Sequence, residues 1–112
     1  MVFPPHARSW AVDVLQADAT RWAGITDFIR VDALRESHSL QLSSHCGPSV
    51  HVHPCCTINS FHHMEYFHDH VRIEHMLFDG ALTPIHGTLR PDLLRPGMGI
   101  DLKRSDATRY AV

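Results

Sequence analysis

The fold of this chain is decided by the stretch Leu40-Gln41-Leu42-Ser43-Ser44-His45-Cys46-Gly47-Pro48. Apolar and polar residues alternate toward the histidine, which predicts a strand with one buried face, and Gly47-Pro48 ends that strand. Leu42 is expected on the face that packs against helices. His45 is expected at the last position of the strand, where a side chain can leave the sheet and meet a ligand.

Two further predicted strands carry a carboxylate. Residues 11–18 alternate in the same way and finish at Asp18, and residues 62–67 contain Glu65. Strand and helix alternate along the chain, so the sequence predicts parallel strands with right-handed crossovers. Asp18, His45 and Glu65 would then lie at one edge of an α/β sheet, the edge at which such folds carry out their chemistry.

Helices are predicted over residues 25–38, 49–58 and 70–78. The first carries an apolar stripe at helical spacing, formed by Ile25, Phe28, Ile29 and Ala33. Pro54 is expected to kink the second helix or to start it afresh, and Asp69 is expected to cap the third. From Asp79 onward, frequent glycine and proline predict a turn-rich tail with short strands and a last helical turn over residues 105–110.

The composition is that of one small globular domain. The chain has 112 residues, 44% of them hydrophobic, and a net charge of −2, so nothing in it favours nucleic acid or an anionic membrane as a partner. No apolar run approaches the roughly 20 residues that a membrane span needs. Pro4-Pro5 interrupts the start, which is untypical of a signal peptide, and the cytoplasm is the expected compartment.

Histidine and cysteine are distributed unusually. The chain has 11 histidines and three cysteines, and the odd cysteine count predicts reduced thiols. Two His-x-His pairs, His51 with His53 and His68 with His70, raise the possibility of a zinc site, but they lack partners at the spacing of a structural zinc motif. These four histidines are therefore expected on helix and loop surfaces. Cys46 follows His45 directly, and strand alternation predicts that the two side chains point to opposite faces.

Asp18, His45 and Glu65 are the candidate catalytic residues. One interpretation is an acid-base cluster, in which a carboxylate holds the histidine in one tautomer and makes it more basic. The other is that Asp18 caps a loop, His45 is a satisfied strand-end residue and Glu65 is a surface charge; spacing alone leaves both open. Gln16 and Arg21 are the candidate substrate contacts, against the simpler interpretation of a polar lining residue and a solvent-exposed loop residue.

At these positions the sequence resembles a known family. Residues 13–26 look like the sixth-strand segment of the enolase superfamily, in its mandelate racemase/muconate-lactonising branch. Residues 44–46, 64–67 and 96–100 resemble that branch's seventh strand, eighth strand and C-terminal signature, in the same order and at the right separations. Ala23 departs from the pattern, since the family usually has a Gly-Gly pair there.

The resemblance implies the C-terminal portion of a TIM-type (β/α)₇β barrel, made of three parallel strands with helices and a tail that belongs to the capping domain. Residues 1–6 would be an unrelated start, residues 7–78 a partial barrel, and residues 79–112 the tail that packs toward the capping domain. The family's magnesium carboxylates belong to strands upstream of Ala7. The chain is therefore expected to be a fragment that is inactive alone, with no metal ligands of its own.

The resemblance also implies a reaction. Asp18 and His45 would form an Asp-His dyad that moves the proton alpha to a carboxylate, and Glu65 would hydrogen-bond the substrate carboxylate, in a Mg²⁺-dependent sugar-acid dehydratase or racemase. The substrate would be a small carboxylate or sugar acid, and members of the family are usually homo-oligomeric. Two alternatives stay open: a small non-catalytic zinc protein that uses His51 and His53, and a product without function.

Overall fold

The computed structural model describes residues 11–111, and the predicted unrelated start at residues 1–6 lies outside them. Three strands alternate with three helices: β1 Val14–Ala17, α1 Ile25–Glu36, β2 Gln41–Ser44, α2 Pro48–Cys55, β3 Phe61–Met64 and α3 His68–Leu77. A short antiparallel pair follows, β4 Phe78–Asp79 with β5 Asp101–Leu102, and then α4 Arg104–Ala107 and a 3₁₀ turn Thr108–Tyr110. The predicted order of elements is confirmed, although the strands are shorter than the alternation suggested.

The first three strands form one parallel sheet in the order β1-β2-β3. The last residues of β1, β2 and β3 lie side by side, because Ala17 pairs with Ser44 and Ser44 pairs with Met64. Backbone bonds carry the ladder one step further, from His45 N–H to Ala17 O at 2.8 Å and from Glu65 N–H to Ser44 O at 3.2 Å. The residues that immediately follow the three strands therefore meet at one sheet edge, as the sequence predicts.

The core lies between this sheet and the first two helices. Its buried apolar members are Leu15, Ala17, Ala19, Phe28, Val31, Leu42, Cys55 and Ile58. Leu42 and Phe28 are both 0% exposed, in agreement with the expectation that Leu42 faces the helices. A fully buried aliphatic or aromatic side chain stabilises the folded state by about 1.5–3 kcal/mol, so this small set holds the sheet and helices together.

The predicted apolar stripe of α1 is only partly correct. Phe28 is buried, whereas Ile25 and Ile29 are 40% and 39% exposed, and the buried face continues instead through Val31 and Arg35. Arg35 can be buried because its guanidinium pairs with Asp32 at 2.6 Å and donates to the Leu40 carbonyl at 3.2 Å. A buried cation that is paired and hydrogen-bonded in this way is tolerated in a core.

Two local predictions about the helices are wrong. Pro54 does not start the second helix afresh, because α2 runs without a break from Pro48 to Cys55 and Pro54 lies in its last turn; a kink at Pro54 stays a prediction. Asp69 is not the N-cap of α3, since the helix already begins at His68 with Phe67 in the cap position. Asp69 lies in the first turn, where a carboxylate still interacts favourably with the helix dipole.

The tail has the predicted turns, short strands and final helical turn. Arg95 bridges β4 and β5 by pairing with Asp79 at 2.7 Å and Asp101 at 2.9 Å. The tail packs against α3, where Lys103 donates its Nζ–H to the carbonyl of His75 at 2.8 Å. Its assignment to a capping domain stays a prediction. Between residues 11 and 111, no helix is long and apolar enough to span a bilayer.

Candidate functional site

The site is centred on an Asp-His pair at the carboxyl edge of the sheet. The ring nitrogen Nδ1 of His45 lies 2.9 Å from Oδ2 of Asp18, although 27 residues separate the two in sequence. Because an ionised carboxylate can only accept, this bond fixes the proton on Nδ1 and leaves the Nε2 lone pair free. The His45 side chain is 33% exposed, so the imidazole is partly open to solution.

Asp18 is held in place by the turn that follows β1. It is 5% exposed, and its Oδ1 accepts hydrogen bonds from the backbone N–H of Thr20 at 2.8 Å and from the Thr20 hydroxyl at 2.6 Å. Burial by itself would raise the pKa of Asp18. The hydrogen bonds from Thr20 and His45 outweigh that effect and hold the pKa below its ordinary value of 3.8. Asp18 is therefore ionised at neutral pH and can serve as the fixed partner of His45.

This shift predicts an acid dependence of stability. Because the pKa of Asp18 is lower in the folded chain than in the unfolded chain, its stabilising contribution is present above pH 3.8 and is lost as the pH falls through the folded pKa. We expect Asp18→Asn to lower the free energy of unfolding at about pH 7 and to change it less at about pH 3. Urea unfolding at both pH values measures this. Asp13→Asn, at an exposed position before β1, is the control, and a parallel pH response in both variants would contradict the prediction.

Cys46 points to the same place as His45, and the prediction of opposite faces is wrong. Its Sγ lies 3.5 Å from Nε2 of His45. The reason is the backbone, because Cys46 follows the end of β2 and has φ +49°, in the left-handed region that non-glycine residues rarely occupy. Alternation of side chains requires extended backbone, and it ends where β2 ends.

Glu65 is joined to the site through Cys46. Its Oε2 accepts a hydrogen bond from Cys46 N–H at 3.1 Å and one from Cys46 Sγ–H at 3.3 Å, and it lies 3.9 Å from Nε2 of His45. The bond from the Cys46 thiol is the largest cause of a lowered pKa of Glu65, and a bond from the Gln16 side chain contributes. Burial, with Glu65 nearby, raises the pKa of Cys46 to about 11. At neutral pH the cluster therefore holds an ionised Glu65 and a protonated thiol.

The candidate substrate contacts lie at the rim of the cluster. Gln16 is exposed and pairs in register with Ser43. Its side chain hydrogen-bonds Glu65. The side chain of Arg21 is 69% exposed, and its Nε lies 3.4 Å from Oδ2 of Asp18. Both side chains are thus open to solution and close to the Asp-His pair, and their contact with a substrate stays a prediction.

His51 is not a surface residue as predicted; it is 0% exposed. Its Nε2 accepts a hydrogen bond from Ala19 N–H at 2.8 Å, its Nδ1–H donates to the Gly47 carbonyl at 2.9 Å, and its ring packs against Phe28. Both ring nitrogens are occupied, so His51 cannot also bind a zinc ion. The bond to Ala19 joins α2 to the loop that carries Asp18, a link that spans 32 residues and that no local pattern could reveal.

The other predicted surface histidines follow the expectation more closely. His68 is exposed, and His53 and His70 are partly buried. Between residues 11 and 111, the structure places one group of three His, Cys, Asp or Glu side chains with ligand atoms close enough to hold a metal ion, and that group is His45, Cys46 and Glu65. The zinc alternative that uses His51 and His53 is not supported by this arrangement.

The same group does not fit magnesium. Mg²⁺ requires hard oxygen ligands in octahedral geometry, whereas two of the three side chains offer an imidazole nitrogen and a thiol sulfur. Between residues 11 and 111, no group of three carboxylates meets at one point. The described residues can thus supply a proton acceptor and two carboxylates, and they do not supply a magnesium site.

A family model and a similar solved structure both relate this chain to one family. The sequence matches the family described as enolase C-terminal domain-like over residues 2–107. A mandelate racemase/muconate lactonizing enzyme-like protein from Rubrobacter xylanophilus is 54% identical, with a TM-score of 0.86, and the match covers 90% of this chain and 28% of that one. No protein with a curated functional description is matched.

Two solved structures of lower identity are also similar to this chain. A racemase from Streptomyces coelicolor with bound magnesium is 25% identical (TM-score 0.82; 95% of this chain and 28% of that one). The L-talarate dehydratase from Polaromonas sp. JS666, complexed with Mg and L-glucarate, is 28% identical (TM-score 0.78; 91% and 27%). This chain spans little more than a quarter of the length of each relative.

Proposed function

The chain belongs to the enolase superfamily, in its mandelate racemase/muconate-lactonising branch, and on that basis we propose that it supplies the acid-base part of an active site that moves the proton alpha to a carboxylate. The observation that carries the proposal is the 2.9 Å bond between His45 Nδ1 and Asp18 Oδ2, which leaves Nε2 free at the carboxyl edge of the sheet. Family relatives solved with magnesium bound include a racemase and a sugar-acid dehydratase.

His45 is the proton carrier in this proposal. Its Nε2 lone pair takes the α-proton, the C–H bond breaks, and the electron pair of that bond passes into the substrate carboxylate. The positive charge that forms on the imidazole is stabilised by the ionised Asp18 on one side and by Glu65, 3.9 Å from Nε2, on the other. Return of the proton by His45 to the same face of the carbon gives exchange with retention, protonation of the opposite face by a second acid outside residues 11–111 would give racemisation, and transfer of the proton from His45 to a departing β-hydroxyl gives dehydration with water as the leaving group.

Glu65 has a different charge state from the one that its family role needs. A hydrogen bond from Glu65 to a substrate carboxylate requires a protonated Glu65, whereas the bond from Cys46 lowers its pKa and favours the ionised form. We therefore place Glu65 in the free chain as an acceptor that stabilises protonated His45. Gln16, which donates to Glu65, and Arg21, with its exposed guanidinium, are the groups that can contact the substrate carboxylate directly.

The same comparison supports a proposal for the substrate class. A small hydroxy acid, in particular a sugar acid, fits the proposal, because a relative at 28% identity is a dehydratase complexed with L-glucarate. The chain by itself is proposed to be inactive, because residues 11–111 hold no group of carboxylates for magnesium and because β1 and β3 are the edge strands of their sheet. Magnesium is bound in the two relatives described above, and ligands for it would have to come from outside residues 11–111.

A segment exchange tests the proposal. Residues 11–111 would replace the matching segment of the Rubrobacter xylanophilus relative, which is 54% identical and therefore offers compatible packing. We expect the chimera to catalyse Mg²⁺-dependent exchange of the α-proton for deuterium in one of a panel of sugar acids and mandelate, and the isolated chain to catalyse none. Proton NMR in D₂O measures both. Exchange by the isolated chain, or a folded chimera that is inert where the parent is active, would refute the proposal.

A further inference from the structure

The cluster at the sheet edge has a second chemistry that proton transfer does not use. We propose that Nε2 of His45, Sγ of Cys46 and Oε2 of Glu65 form a binding site for a thiophilic divalent cation, with Zn²⁺ as the preferred ion. The three atoms form a triangle with sides of 3.5 Å, 3.3 Å and 3.9 Å. The inference does not depend on the proposed function, because it concerns the affinity of the chain for a metal and not its catalysis.

The size of the triangle is the first support. Zinc binds sulfur at about 2.3 Å and nitrogen or carboxylate oxygen at about 2.0–2.2 Å in a tetrahedron. Those bond lengths place the sulfur about 3.5 Å from the other two ligands and place nitrogen about 3.4 Å from oxygen. The sulfur distances already agree with these values to a few tenths of an ångström, and the nitrogen-oxygen distance needs to shorten by about half an ångström.

The ligands are also held in position by their neighbours. The left-handed backbone of Cys46 turns its thiol toward His45, and Cys46 N–H holds Glu65 at 3.1 Å. Asp18 accepts the Nδ1–H of His45, so the lone pair stays on Nε2, the ring nitrogen that lies 3.5 Å from Cys46 Sγ and 3.9 Å from Glu65 Oε2. A carboxylate behind a ligating histidine is the arrangement that orients histidines in zinc proteins.

The types of ligand determine which metal is preferred, and the site is open to ions from solution. Imidazole and thiolate ligands favour zinc over magnesium and calcium. His45 and Glu65 have side chains that are 33% and 37% exposed, which leaves a path from solution to the site. A tetrahedral zinc ion held by three protein ligands would take water as its fourth ligand. On binding, the Cys46 thiol releases its proton to the buffer and a sulfur-metal bond forms. A bound ion would occupy the nitrogen that proton transfer needs, so zinc would inhibit the chimera described above.

The test is a titration of the reduced 112-residue chain with Co²⁺ and then Zn²⁺. We expect one Co²⁺ per chain, with a near-ultraviolet charge-transfer band that reports a cobalt-thiolate bond, displacement of the cobalt by one equivalent of Zn²⁺, and no displacement by millimolar Mg²⁺. Cys46→Ser should abolish the band, and Asp18→Asn, which removes the ionised carboxylate behind His45, should weaken binding by about 10- to 100-fold. Cys56→Ser, at the exposed cysteine outside the cluster, is the matched control and should bind like the unchanged chain.

Three results would overturn the inference: no bound cobalt, a band that survives Cys46→Ser, or a band that disappears in Cys56→Ser. Since Cys46 is buried, circular dichroism must show that Cys46→Ser has the secondary structure of the unchanged chain. Glu65→Gln provides an independent arm, because Glu65 is partly exposed and its amide is a weaker ligand. Unchanged zinc affinity in both Glu65→Gln and Cys46→Ser would exclude this site even if the chain binds zinc elsewhere. Failure of the chimera to catalyse exchange leaves this result unaffected.

Discussion

Changing His45 to Gln in the chimera is expected to lower the rate of α-proton exchange by about 10²- to 10⁴-fold, the usual contribution of a positioned general base. Gln can still donate a hydrogen bond toward Asp18, but its amide cannot take a proton at neutral pH. The loss should fall on the catalytic rate and largely spare the Michaelis constant, because the base acts on the reacting carbon and contributes little to substrate binding. Deuterium incorporation followed by proton NMR gives both constants.

A second variant, Asp18→Asn, tests the role of the carboxylate that is bonded to His45. Asp18→Asn keeps the size of the side chain and removes its charge, so His45 loses the ionised acceptor that fixes its tautomer. We expect a slower chimera whose dependence of rate on pH differs from that of the unchanged chimera. His53→Gln, a change on the same helix as His51 and outside the cluster, is the control. A His45→Gln chimera that retains the full exchange rate would exclude His45 as the base.

The sheet edge could be predicted because it depends on local patterns. The alternation before His45 and the Gly47-Pro48 stop fix where β2 ends, and a parallel register then places the ends of β1 and β3 beside it. The same pattern predicts that Leu42 is buried. Nothing beyond the period of two and the order of elements is needed to bring Asp18 and Glu65 to His45.

The contacts within the site and the core could not be predicted, because they depend on backbone angles and tertiary hydrogen bonds that the sequence alternation does not contain. Cys46 joins His45 because one residue has a positive φ, and sequence alternation carries no information about the backbone beyond the last ladder pair. Arg35 is buried because Asp32 and the Leu40 carbonyl satisfy its guanidinium, which overrides the usual expectation that arginine is exposed. His51 is buried by a tertiary bond to Ala19, so only its three-dimensional neighbours explain it.

Whether the bond to Ala19 explains the burial of His51 can be tested by comparing His51 with His53. Both histidines lie on α2, two residues apart, and they differ in their hydrogen bonds. His51→Leu leaves the Ala19 N–H, in a residue that is 4% exposed, without its acceptor. An unsatisfied buried N–H costs about 1–3 kcal/mol, so we expect the free energy of unfolding to fall by about 2–3 kcal/mol. Urea unfolding measures the loss, and hydrogen exchange should show that the Ala19 amide loses its protection.

The same substitution at His53 should leave the free energy of unfolding nearly unchanged or raise it slightly. The buried Nε2 of His53 has no hydrogen-bond partner within residues 11–111, so His53→Leu removes a polar atom that gains nothing from its environment. We expect a change within about 1 kcal/mol of zero, or a small stabilisation, since replacing an unpaired buried polar group by an apolar one removes its desolvation cost. Equal destabilisation by both variants would show that helix packing alone determines their effect. A loss confined to His51→Leu would identify the His51–Ala19 bond as the contact that holds the Asp18 loop against α2, and with it the geometry of the Asp-His pair.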